Sequence, residues 1–152
     1  MALWRRKTSG SEGGSAPTIE ALTAAEDQWL HTQREIAGIL RDRYLGPTDT
    51  APTIDELEAT VGLWQQDGDG RADANDVVLA VGVLIGDHVV AATTLHWVIA
   101  TDAFGTDLAL HAQPGDVLMH PTNSVAKRIG DNAFVSLLYA DLLASARRLG
   151  VG

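Results

Sequence analysis

Residues 97–110, Trp97-Val98-Ile99-Ala100-Thr101-Asp102-Ala103-Phe104-Gly105-Thr106-Asp107-Leu108-Ala109-Leu110, constrain this chain more than any other stretch. Two apolar runs, β-branched or alternating, flank a short polar turn that contains a glycine, which is the pattern of an antiparallel hairpin. Helical periodicity lies on both sides of it. The chain is therefore expected to be α+β, with about three antiparallel strands packed by N-terminal, central and C-terminal helices. Pairing of Thr101 with Leu108 is the expected register.

Upstream, residues 8–17 are rich in Gly and Ser, so residues 1–17 read as a flexible tail and residues 18–152 as one domain. Thr18 looks like an N-cap, followed by Ile19, Leu22, Trp29, Ile36, Leu40 and Tyr44 at roughly helical spacing until Gly46-Pro47. Thr53-Ile54-Asp55-Glu56 is a capping box opening a second helix, with Ile54, Leu57, Val61 and Trp64 as its apolar stripe. Residues 74–92 are apolar nearly all round, which predicts a central, buried helix. In it Gly82 and Gly86, four apart, leave one face bare for the close approach of another element. After the hairpin come a turn at Gln113-Pro114-Gly115-Asp116, a third strand over Val117-Leu118-Met119-His120 ended by Pro121, and a short helix carrying Lys127-Arg128. The last helix is expected to be capped near Asp131-Asn132, with Phe134, Leu137, Leu138 and Leu142 inward.

Charge narrows the function classes. Against 20 Asp and Glu stand 11 Lys and Arg, for a net charge of −9, and Arg5, Arg6 and Lys7 fall in the tail. An acidic domain repels phosphate backbones, which disfavours nucleic acid as a partner. Cysteine is absent, which removes disulfides, thiolate zinc sites and cysteine nucleophiles, and fits a cytoplasmic location. The longest apolar run, Val77 to Ile85, falls short of the roughly 20 residues of a membrane span.

Three groups of residues could carry chemistry. Asp67, Asp69, Asp73 and Asp76 align loosely with a calcium loop, with Gly70 at the sharp turn. Gln65 stands where the first ligand belongs, and an ordinary turn with Asp73 as N-cap explains the segment equally well. In the expected register His96 and His111 share a sheet face that His120 could join, a conceivable three-histidine zinc site without the usual spacing. Lys127 and Arg128 are a compact basic step in an acidic domain, able to grip a partner's carboxylate or to form surface pairs with Asp102, Asp107 or Asp131. Ser124-Val125-Ala126-Lys127 matches S-x-x-K only formally, since neither S-D-N nor K-T-G occurs.

Gly82 and Gly86, then Trp97, Asp102, Gly105, Ala109-Leu110, Pro121 and Lys127-Arg128, resemble a bacterial family of domains of unknown function over about residues 75–131. That family has a W-x-x-x-x-D-x-x-G-x-x-x-A-L hairpin, a strand ending in Pro and a K-R step. The resemblance implies a small α+β domain with no assigned activity. It implies that Trp97 packs the sheet on the helix, that Asp102 to Gly105 make the turn, and that Pro121 ends the third strand.

No catalytic constellation and no cofactor motif emerges, so the leading expectation is a non-catalytic protein-binding or adaptor domain, of the kind that masks a partner. Its contact surface would be exposed sheet edges or the stripe of the helix over residues 18–45, and a homodimer is one form it could take. A metal-dependent hydrolase or a calcium- or zinc-binding domain, built on the Asp67–Asp76 loop or the histidine face, is the rival. A purely structural protein is the third reading.

Overall fold

The computed structural model describes residues 16–152, in which nine elements follow one another as one strand, three helices, three strands and two helices. They are β1 (Thr18–Glu20), α1 (Ala24–Leu45), α2 (Ile54–Gln66), α3 (Ala74–Ala92), β2 (His96–Asp102), β3 (Gly105–Ala112), β4 (Val117–Met119), α4 (Pro121–Arg128) and α5 (Val135–Arg148). The fold is α+β, with an antiparallel sheet in the order β1-β2-β3-β4. The sheet has four strands rather than about three. The added one is the segment read from sequence as the start of a helix: Thr18, Ile19 and Glu20 pair with Thr101, Ala100 and Ile99. α1 instead begins after Thr23, which sits in extended backbone as its N-cap. Residues 1–15, most of the expected tail, lie outside the described residues.

The hairpin register is shifted by two residues from Thr101 with Leu108. Thr101 pairs with Thr106 and Asp102 with Gly105, leaving Ala103-Phe104 as the turn. Two local features select this register. The Phe104 amide donates to the Asp102 carboxylate at 2.8 Å, and Gly105 takes a φ of 136°. Because the shift is two residues, every side chain keeps its face. Ile99, Leu108 and Leu110 thus face the helices, while Val98, Ala100 and Ala109 form a separate cluster with Ile19 and Leu118.

α3 spans the residues its apolar pattern predicts and forms the centre of the core. By length and composition it could cross a membrane, yet 56% of that stretch is buried inside the fold, as befits a core helix. Its bare stripe is filled. A Cβ on Gly82 would meet the Thr122 backbone at 2.7 Å, and one on Gly86 would meet the Trp97 ring at 2.3 Å. α4 and the Trp97 indole therefore lie directly on the α3 backbone.

The C-terminal part departs from its expected boundaries in two places. His120 is not on a strand; Pro121 at the first helical position, with φ preset for a helix, makes it the N-cap of α4. α5 is capped at Phe134 rather than near Asp131-Asn132, and the Glu58 carboxylate of α2 accepts from the Ser136 amide at 3.1 Å. With that start Phe134, Val135 and Leu138 turn inward, while Leu137, expected in the core, is 68% exposed.

Candidate functional site

A cleft of about 490 Å³ lies between α1, α3 and the segment joining α1 to α2. Its position follows from local sequence. Gly82 and Gly86 commit one face of α3 to α4 and Trp97, which leaves the opposite face, with Leu84, His88 and Ala91, to line the cleft. From α1 come Arg34, Gly38 and Arg41, and Gly38 leaves its stretch of helix open, with nothing within 4 Å of an added Cβ. The third wall is Asp49-Thr50-Ala51-Pro52, held by the capping box of α2, in which Thr53 and Glu56 satisfy each other's backbone amides.

Two buried or half-buried networks fix the charged walls. Arg34 grips Asp87 bidentately, Nε to Oδ2 at 2.7 Å and Nη2 to Oδ1 at 2.9 Å, and the Trp97 indole N–H donates to the same Oδ1 at 3.0 Å. The hydrogen bond to Asp87 holds the Arg34 guanidinium above its ordinary pKa, against the opposing effect of burial. Arg41, only 2% exposed, donates to the Thr50 carbonyl at 2.6 Å, to Asp42 at 2.8 Å and to Glu56 at 3.3 Å. Those bonds tie the rim to α1 and α2 together. The Glu56 carboxyl is held below its ordinary value, first by the Thr53 amide and then by Arg41. His88 Nε2 lies 2.9 Å from the Pro52 carbonyl, which can only accept, so this nitrogen carries the proton. The Tyr139 ring meets the imidazole edge to face, with centroids 6.2 Å apart.

A family described as a domain of unknown function, DUF3806, matches residues 61–137, just over half of the 152 residues. The chain belongs to this family. No curated protein and no solved structure shows significant similarity to it. The DUF3806 match takes in α3, the hairpin and α4, hence Asp87, His88 and Trp97, whereas Arg34, Gly38 and Arg41 precede it.

Outside the cleft, the DUF3806 chain does not assemble the metal sites its sequence suggested. Asp67 caps the end of α2 and accepts from the Tyr44 hydroxyl at 2.7 Å and from Arg43 at 3.1 Å. Asp73 is the N-cap of α3 and accepts from the Asn75 amide, with Asp76 in the first turn. Asp67 and Asp73 are thus engaged in pairing and capping, and with Asp69 and Asp76 they are not grouped to hold a metal ion. His96 and His111 are cross-strand partners whose rings meet edge to face at 6.0 Å, but His111 Nε2 is directed to Asp116 at 3.1 Å and His120 belongs to the start of α4. Among the described residues no three His, Asp or Glu side chains are placed to hold a metal ion.

Lys127 is exposed and Arg128 donates to the Ser124 carbonyl one turn earlier at 3.1 Å. Ser124 Oγ in turn donates to the His120 carbonyl, the ordinary bond of a helical serine. The cleft residues were not singled out from sequence. Arg34 and Asp87 are 53 positions apart, and the one local signal was Asp87-His88, a polar pair interrupting an otherwise apolar helix.

Proposed function

We propose that this chain is a non-catalytic binding domain that holds an extended segment of a partner protein in the cleft between α1 and α3. One observation carries the reading: apart from Asp49 on the rim, the charged side chains of the cleft and His88 are held by hydrogen bonds to their neighbours rather than poised for proton transfer. Arg34 is fixed on Asp87, Arg41 on Thr50, Asp42 and Glu56, and His88 on Pro52. Catalysis by a nucleophile and base calls for a hydroxyl or similar group within hydrogen-bond reach of that base. Rigid, pre-paired walls around an apolar floor suit binding instead, because little side-chain freedom is lost when a partner arrives.

Blocking the cleft tests this. Gly38→Trp would fill it from a position where an added Cβ meets nothing within 4 Å, so the fold is expected to persist, as circular dichroism would verify. A stoichiometric partner captured by the wild-type chain should be lost with Gly38→Trp and retained with Lys127→Glu/Arg128→Glu, which alters a different surface. Equal recovery by the blocked chain would overturn the proposal. Loss in the Lys127/Arg128 variant alone would move the site to the end of α4.

A further inference from the structure

We propose that the segment held in the cleft is basic, a stretch of the partner rich in lysine or arginine; this rests on the reading of the cleft as a partner site. The sign comes from the charges on and just behind its walls. The lining itself sets Arg34 and Arg41 against Asp87 and Asp49, and Asp42 and Glu56, which pair with Arg41 from behind the wall, bring the carboxylates to four. Asp87 neutralises Arg34, and Glu56 and Asp42 more than neutralise Arg41. Asp49 lies exposed on the rim and, among the described residues, has no ion-pair partner. Charges interact across about 8–10 Å at physiological ionic strength, so this surplus is felt throughout the opening.

The wider field has the same sign. With 20 acidic against 11 basic side chains, the chain draws cationic segments toward itself and repels anionic ones. The floor is suited to such side chains as well. Leu84 and Ala91, with Ala51 from the wall beside them, offer an apolar surface to the methylene stems of lysine and arginine while their heads reach the acidic rim. An acidic segment would find only the Arg34 edge, already committed to Asp87 through Nε and Nη2.

Fluorescence anisotropy with three ten-residue probes tests this: alternating Lys and Ala, alternating Glu and Ala, and alternating Gln and Ala. Each is titrated with the full chain, with Asp49→Lys and with Gly38→Trp, at low and at high salt. The Lys peptide should bind the wild-type chain most tightly, weaken about tenfold with Asp49→Lys, weaken with salt, and be lost with Gly38→Trp. Equal or tighter binding of the Gln or Glu peptide, still blocked by Gly38→Trp, would overturn the basic segment and leave the cleft as a binding site. Lys-peptide binding that Gly38→Trp leaves unchanged would overturn both, reducing the attraction to diffuse surface charge. Failure of all three peptides to bind would overturn the basic segment and leave the cleft to the capture experiment.

Discussion

Individual glycines in this chain have opposite meanings, and only neighbours distinguish them. Gly86 lies under the Trp97 indole, where an added Cβ would stand 2.3 Å from Cζ2 and 2.7 Å from Cη2. The ring cannot retreat freely, because its N–H is bonded to Asp87. Gly38 lies in α1 facing open space. Gly86→Ala should therefore destabilise by about 1–3 kcal/mol through overpacking. Gly38→Ala should stabilise by about 0.5–1 kcal/mol through helix propensity. Urea denaturation of the two variants would show shifts of opposite sign; a neutral Gly86→Ala would mean that the indole does not rest on α3. The spacing of Gly82 and Gly86 made a bare helix face legible in the sequence. The Arg34–Asp87 pair was not legible, because nothing local to either residue indicates a partner 53 positions away.

Elements declared themselves where their ends carry their own chemistry. α2 could be read from Thr53 and Glu56 because a capping box is a pattern of neighbouring residues. β1 could not, because three residues become a strand only through the edge of β2, and Ile19 satisfies a helical period as readily as a strand. α5 slipped by a few residues for a related reason: its first turn is satisfied by Glu58 from another helix, not by a nearby Asp or Asn. The capping box also gives α2 a pH dependence. The Thr53 amide, followed by Arg41, holds the Glu56 carboxyl below its ordinary 4.5 in the folded chain. A depressed folded value stabilises above the unfolded value and is lost as pH falls through the folded one. Asp67 acts in the same direction, held down first by the Tyr44 hydroxyl. Stability measured by urea should thus fall as pH drops below about 5, and Glu56→Gln should make that fall shallower. Parallel pH profiles for the two chains would show that Glu56 is no better bound folded than unfolded.

At the scale of the whole molecule, the apolar, nearly featureless α3 organises everything else. α1 and α2 pack on it from one side, α4 and Trp97 on its glycine face, and α5 beside it, so that Val77, Val81, Val83, Ile85 and Val89 are at most 1% exposed. Asp87, in the second half of α3, is also the point at which sheet and cleft meet: Trp97 of β2 and Arg34 of α1 converge on one carboxylate. The cleft therefore depends on the same packing as the core and should not open independently of it. β1 is the opposite case, three residues on an edge, with Thr18 and Glu20 exposed. Native-state hydrogen exchange should separate the two. Amides in the middle of α3 should exchange only through global unfolding, with the denaturant dependence of the whole molecule, while β1 amides should exchange through local opening that denaturant barely alters. If the α3 amides around Asp87 instead exchanged through a smaller, sub-global opening, the wall of the cleft would be mobile. The pre-paired site from which partner binding is argued would then not be rigid.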